Sequence, residues 1–91
     1  MVEKFIDNDD GYLNWIKANP TGYVVNCDRY PRAAYLILHR ATCRFISGKP
    51  IIGKRWTTNY IKICSLDKRE LESWARREIR GELRLDPFCN P

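Results

Sequence analysis

The sequence predicts a single α+β domain over residues 1–91, with a short N-terminal helix, a small antiparallel sheet of about three strands and a C-terminal helix packed on the sheet. Three observations predict this class: apolar residues recur at helical spacing near both ends of the chain, β-branched runs lie between them, and turn residues separate the runs. An apolar content of 44% is enough for one modest core in a chain of this length. Residues 1–8 and 84–91 are candidate flexible ends.

Capping residues mark the ends of both predicted helices. Asn8 and the two aspartates after it are N-cap candidates for the first helix, and Pro20 ends it because the residue before a proline avoids the helical region. Ser65 is the N-cap candidate of the second helix, LDKRELESWARREIR, and Gly81 is its predicted C′ residue. The apolar residues of the second helix follow the spacing of a buried stripe, and they are Leu71, Trp74, Ala75 and Ile79.

Three segments between the helices predict the strands. They are YVVN at 23–26, YLILHR at 35–40 and TNYIKIC at 58–64. The second segment has apolar residues on both faces, which indicates a central, covered strand. In the third segment, alternation places Tyr60, Lys62 and Cys64 on one face and Ile61 and Ile63 on the other.

The formal net charge of +5 is concentrated in the middle of the chain. Between Asp28 and Asp67 the sequence has eight Lys or Arg residues and no Asp or Glu. A positive surface concentrates polyanions around a protein, and its Lys and Arg side chains replace the counterions of phosphates. The aromatic residues interleaved with this block supply flat surfaces for stacking on unpaired bases.

These features predict a nucleic-acid-binding module, with DNA favoured over RNA. The predicted nucleic-acid-binding face runs from Arg40 to Lys62. On it, the predicted phosphate contacts are Arg44, Lys49, Lys54, Arg55 and Lys62, and the predicted base contact is Trp56 or Tyr60. The alternative for these residues is a solvated basic face whose aromatic side chains lie in the core. For the protein as a whole, the alternative is an interaction module or inhibitor whose basic patch docks on an acidic protein surface.

The sequence does not predict a membrane partner. No apolar run approaches the roughly 20 residues that span a bilayer, and no basic amphipathic helix with a wide apolar face is present. The N-terminal residues, MVEKFIDNDDGY, lack the features of a secretory or organellar targeting segment. We therefore expect a cytoplasmic protein.

The chain contains no complete catalytic or nucleotide-binding pattern, so we expect that it is not an enzyme. The segment from Gly48 to Lys54 has the glycine spacing of a phosphate-binding loop, but Arg55 occupies the position of the hydroxyl that binds Mg²⁺. His39 and Cys43 are the candidate base and nucleophile, yet the sequence around them offers no acidic partner to orient the histidine.

The candidate metal ligands are His39, Cys43, Cys64 and Cys89. Zinc accepts one imidazole and three thiolates in a tetrahedral site, and the spacing from His39 to Cys43 lets both side chains reach one ion. The alternative is that the cysteines are small buried apolar residues and that His39 is a hydrogen-bonded histidine at the end of a strand. The prediction is no resident cofactor, with zinc as the candidate if the four residues converge.

Three segments share a distinctive pattern: GYLNWIKANPTGYVVNCDR, YLILHRATCRFISGK and WTTNYIKICSLDKRELESWA. The residues of the pattern are Gly11, Tyr12, Leu13, Trp15, Leu38, His39, Arg40, Cys43, Trp56, Thr57, Tyr60, Ile61 and Lys62. Over residues 11 to about 75, the chain resembles a small bacterial domain associated with restriction-type and HNH-type nucleases. The resemblance implies a DNA-targeting accessory role beside a nuclease partner. Similar domains end in a Cys pair, whereas this chain has Cys89 alone near its end.

Overall fold

The computed structural model describes residues 1–47 and 55–91 of the chain. It has two helices and a five-stranded mixed sheet, which confirms the α+β class. The strands are β1 (Glu3–Phe5), β2 (Tyr23–Asp28), β3 (Leu36–Arg40), β4 (Tyr60–Ser65) and β5 (Arg84–Leu85). The helices are α1 (Asp9–Ala18) and α2 (Lys68–Trp74), and α2 continues as a π-helical turn over Ala75–Ile79.

The sheet has the strand order β1-β4-β2-β3-β5. The first four of these strands pair antiparallel, and β5 pairs parallel with β3. The prediction of about three antiparallel strands missed both edge strands, because two or three residues are too few to show the alternation of a strand. The edge strands lie in the ends 1–8 and 84–91, for which the sequence suggested flexible segments.

Each face of the sheet is covered by one helix. Val25 of β2 lies in a buried cluster with Leu71 of α2, whereas Val24 lies in a second buried cluster with Tyr12 of α1. The two valines belong to different clusters because successive side chains of a strand point to opposite faces. His39 of β3 is paired with Val24 in the β2–β3 register, so it lies on the α1 face. The histidine and the cysteines of interest meet on this face.

Capping residues fix the helix ends, with two shifts from the prediction. The Asn8 side chain accepts a hydrogen bond from the amide three residues later, as predicted. Asp67 caps α2 in place of Ser65, and the Ser65 hydroxyl instead accepts a hydrogen bond of 3.0 Å from the Asp67 amide. At the other end, Gly81 follows the C-cap Arg80 at the predicted C′ position, but the left-handed conformation is adopted by Arg80, with φ 59°, rather than by the glycine.

Lys62 of β4 is buried, with only 3% of its surface exposed. Its Nζ donates hydrogen bonds to Asn26 Oδ1 at 2.7 Å and to the carbonyl oxygen of Trp56 at 2.6 Å, and it lies 5.8 Å from the centre of the Tyr12 ring. Burial lowers the pKa of Lys62 to about 8, because removal from water disfavours the charged ammonium. A phosphate contact, which the sequence predicted for Lys62, does not fit this burial: the side chain anchors residue 56 from inside the fold.

The lowered pKa of Lys62 predicts a pH-dependent contribution to stability. The pKa of Lys62 in the folded protein is about 8, below its ordinary value of 10.5. Between these two pH values, the Lys62 side chain is protonated in the unfolded chain but not in the folded protein. The free energy of unfolding of the wild type should therefore rise with pH, by up to about 3 kcal/mol relative to Lys62→Met. Chemical denaturation across this pH range measures the difference, with the exposed Lys17→Met as the control. A difference that does not change with pH would contradict a buried ammonium.

Candidate metal centre

Four side chains that suit a metal ion converge at the end of β3. His39, Cys43, Asp86 and Cys89, which we call the metal-ligand group, place their ligand atoms all within 4.8 Å of one another. Two come from the end of β3 and the turn after it, and two come from the segment after β5. Each pair is close in sequence, with three residues between the first two ligands and two between the others. Such local pairs are typical of structural zinc sites.

Backbone hydrogen bonds bring the two pairs together. The Asp86 amide donates to the carbonyl oxygen of Leu38 at 3.0 Å, which extends the pairing of β5 with β3 by one residue. After β3, the Cys43 amide donates to the carbonyl oxygen of Arg40 at 2.9 Å, and this turn directs the Cys43 side chain back toward His39. The short strand β5 therefore positions the second pair of ligands beside the first.

The Asp86 carboxylate is at the centre of the metal-ligand group. Its Oδ2 lies 2.9 Å from His39 Nδ1, 3.4 Å from Cys43 Sγ and 3.5 Å from Cys89 Sγ. Its Oδ1 accepts a hydrogen bond of 3.0 Å from the Phe88 amide. That amide hydrogen bond is the main reason that the pKa of Asp86 is below its usual value. The carboxylate is thus oriented through one oxygen, and the other oxygen faces the imidazole and both thiols.

The protonation states of the group suit metal binding. Burial lowers the pKa of His39, which favours the neutral imidazole that a metal requires. Burial also raises the pKa of Cys43 to about 12, so without a metal this thiol is protonated and donates to Asp86. A bound cation would replace thiol protons, because thiolate rather than thiol is the metal ligand.

A second layer of hydrogen bonds supports the ligands, as is usual around metal sites. The Arg40 amide donates to Cys89 Sγ at 3.4 Å, and the Arg40 guanidinium donates to the carbonyl oxygens of Cys89 and Asn90 at 2.6–2.9 Å. The Ser47 hydroxyl donates to the Cys43 carbonyl oxygen at 2.8 Å. Arg40, which the sequence predicted as part of the nucleic-acid-binding face, therefore holds the C-terminal segment against β3.

The metal-ligand group differs from the predicted set in one member. Cys64 does not belong to it: this residue lies on β4 and is fully buried in the cluster that contains Tyr12 and Val24. Burial raises the pKa of the Cys64 thiol, as expected for a cysteine that packs as an apolar residue. Asp86 takes the fourth position. The signal that could have indicated it is the DPFC segment, in which Asp86 precedes Cys89 by the same spacing as the first cysteine of a C-x-x-C pair.

The same residue types also occur in cysteine nucleophile sites, since Asp86 supplies the acidic partner that the sequence around His39 lacked. The environment does not favour that chemistry. Cys43 is only 4% exposed and its pKa is raised, whereas a nucleophilic cysteine needs a lowered pKa and access to substrate. Both thiols also donate to the Asp86 carboxylate. The arrangement fits metal coordination better than covalent catalysis.

Arg44 and two phenylalanines form an exposed surface beside the metal-ligand group. The Arg44 guanidinium carbon lies 4.6 Å from the centre of the Phe88 ring and 5.7 Å from that of Phe45. The two rings meet edge to face, with centroids 4.7 Å apart. All three residues are exposed, and we call them the aromatic platform. Among the predicted phosphate contacts that the structure describes, Arg44 is therefore the one that lies against exposed aromatic rings.

The other predicted nucleic-acid contacts are more dispersed. Trp56 is half-buried with its ring 6.3 Å from that of Tyr12, whereas Tyr60 is exposed and lies 5.7 Å from Tyr35. Arg55 is exposed. Against the opposing effect of burial, hydrogen bonds from Thr57 and the Trp56 amide lower the pKa of Asp9, and the charge of Arg55 adds a smaller contribution. Two further predicted contacts, Lys49 and Lys54, lie outside the described residues.

The basic block is partly neutralised by acids from its borders and from outside it. Arg29 forms a two-point ion pair with Asp7, with N···O distances of 2.6 and 2.8 Å, and Arg32 forms an ion pair with Asp28. Arg44 forms no ion pair within residues 1–47 and 55–91. The positive charge of Arg44 at the aromatic platform is therefore not paired with an acidic side chain of the described residues.

Comparisons of the chain with protein-family models, with curated proteins and with solved structures found no match. Among the helices that the structure describes, none has both the length and the apolar character of a membrane span. The chemistry of the metal-ligand group and of the surface beside it is therefore the basis for the functional argument.

Cobalt titration tests which residues make up the group. Tetrahedral Co²⁺ with thiolate ligands gives strong absorption bands in the visible range. One equivalent of Co²⁺ should therefore give these bands in the wild type and in Cys64→Ala. Cys43→Ser and Asp86→Ala should each weaken Co²⁺ binding by at least about tenfold, because loss of one ligand leaves the site incomplete. Loss of the bands in Cys64→Ala together with unchanged binding in Asp86→Ala would favour the ligand set predicted from the sequence.

Proposed function

We propose that the protein is a small DNA-binding module whose C-terminal segment is held in place by a structural zinc ion. The observation on which this rests is the position of the aromatic platform: an exposed arginine without an acidic partner in the described chain lies 4.6 and 5.7 Å from the centres of two exposed rings next to the metal-ligand group. The block between Asp28 and Asp67, which contains no acidic residue, predicts the same functional class, a nucleic-acid-binding module.

Zinc is the metal that best matches the donor set. Two sulfur atoms, one imidazole nitrogen and one carboxylate oxygen suit a tetrahedral Zn²⁺ ion, whereas Mg²⁺ and Ca²⁺ prefer sites made of oxygen. The protein supplies all four ligands, and catalytic zinc sites usually keep one position open for water or substrate. The site is therefore proposed to be structural, in agreement with the expectation that the protein is not an enzyme.

DNA is the proposed partner because the platform offers both kinds of contact that a strand needs. A guanidinium binds phosphate oxygens through its fork of N–H donors, and flat aromatic surfaces accept bases. Asp86, two positions from Phe88, is 9% exposed and its oxygens accept hydrogen bonds within the protein, so the carboxylate is not presented at the surface of the platform. The resemblance noted above adds a proposed role as an accessory to a restriction or defence nuclease.

The salt dependence of DNA binding tests this proposal. We expect labelled DNA to bind with micromolar or better affinity at low salt, and Arg44→Gln to weaken binding and reduce the slope of log K against log salt by about 0.7 to 0.9. Fluorescence anisotropy at several salt concentrations measures both quantities. Arg77→Gln is the matched control, since Arg77 is exposed on the π-helical turn at the other face of the sheet.

Two outcomes would contradict the proposal. Equal effects of the two substitutions would show that binding depends on net charge rather than on the platform. Absence of binding to any DNA or RNA would favour the alternative of an interaction module, whose basic surface docks on an acidic protein. The exposed rings of Phe45 and Phe88 would then be the apolar part of that protein interface.

A further inference from the structure

The aromatic platform exposes apolar rings where a folded protein ordinarily hides them. Phe45 and Phe88 are 55% and 57% exposed, and they are in contact with each other although they are 43 positions apart in the chain. Scattered single apolar residues on a surface need no explanation, but paired aromatic rings with an arginine across them form a defined surface. A ligand that covers these rings would gain binding free energy, because the apolar surface of both rings would be removed from water.

Every residue of the platform is next to, or two positions from, a proposed metal ligand. Arg44 and Phe45 follow Cys43, and Phe88 precedes Cys89. The amide of Phe88 also donates the hydrogen bond that orients Asp86. The contacts that join the metal-ligand group therefore also bring the two rings together, so the platform is positioned by the fold rather than by a flexible loop.

The chemistry of the platform identifies the part of a nucleic acid that it fits. The binding of phosphates requires only cationic side chains. The rings of Phe45 and Phe88 carry no charge and no hydrogen-bonding group, so phosphate binding does not explain their position on the surface. Bases stack on aromatic rings and on guanidinium planes, but in a duplex their faces are covered by neighbouring base pairs. A platform of rings and one arginine therefore matches a strand whose bases are accessible.

We propose that the aromatic platform stacks on an unpaired base, so that the preferred ligand of this protein is single-stranded DNA. This inference rests on the proposed DNA-binding function and specifies its ligand. The Arg44 guanidinium lies beside the stacked base and contacts the adjoining phosphate, and the rings of Phe45 and Phe88 provide the contact that depends on the base.

The test compares oligonucleotides that differ only in their bases. An oligothymidine and an abasic strand of the same length carry the same phosphates, so stacking should make the wild type bind the oligothymidine at least about fivefold more tightly. Phe88→Ala should bring the two affinities together while leaving the affinity for the abasic strand unchanged. Tyr30→Ala is the control variant, because Tyr30 is 83% exposed and lies away from the platform. Anisotropy at one salt concentration measures all these affinities.

The outcomes separate this inference from the proposed function. Equal binding of the oligothymidine and the abasic strand by the wild type, or tighter binding of duplex DNA, would overturn the inference and leave DNA binding in place. No binding to any strand would overturn both. If Phe88→Ala disturbs the neighbouring Cys89, Phe45→Ala should give the same loss of base dependence, and an unchanged base dependence in a folded Phe45→Ala variant would also contradict the inference.

Discussion

The candidate metal centre depends on the pairing of the two-residue strand β5 with β3. This pairing, extended by the hydrogen bond from the Asp86 amide to Leu38, brings a carboxylate beside an imidazole and two thiols. A buried carboxylate is unfavourable unless hydrogen bonds compensate it, and Asp86 receives them from His39, Cys43, Cys89 and the Phe88 amide. These hydrogen bonds connect the segment after β5 to β3 and to the turn that follows β3.

A metal ion would strengthen the connection between β3 and the segment after β5, which hydrogen bonds alone stabilise only weakly. Two paired residues contribute little stability, and isolated short strands are marginal in water. The Arg40 side chain already binds the last carbonyl groups, and a cation shared by the metal-ligand group would join the same segments through coordinate bonds. The proposed binding surface lies directly over this link, because Arg44 and Phe88 are neighbours of its ligands. Ion binding and ligand binding are thus proposed properties of one structural unit.

The periodic parts of the fold could be predicted from the sequence, whereas the convergence of the site could not. Both helices and the three central strands have enough residues to show their spacing, but β1 and β5 do not. His39 and Cys43 could be chosen by residue type and local spacing, and Cys89 by residue type alone. Asp86 is not predicted, since its spacing from Cys89 is a weak signal by itself, carboxylates are common on surfaces, and its position depends on a strand without a sequence signal. Cys64 was included on residue type alone, and the packing of α1 over its face of β4 buries it in the core.

Hydrogen exchange with and without metal is the most direct test of the central claim that a metal ion ties the C-terminal segment to β3. In the zinc-loaded protein, the amides of Asp86 and Phe88 should exchange slowly, because both donate hydrogen bonds within the site. After chelation, exchange in residues 84–91 should become at least about tenfold faster, while the amides shared by β2 and β4 stay protected. Unchanged exchange in residues 84–91 after the metal is removed, or a protein that never takes up zinc, would contradict the account.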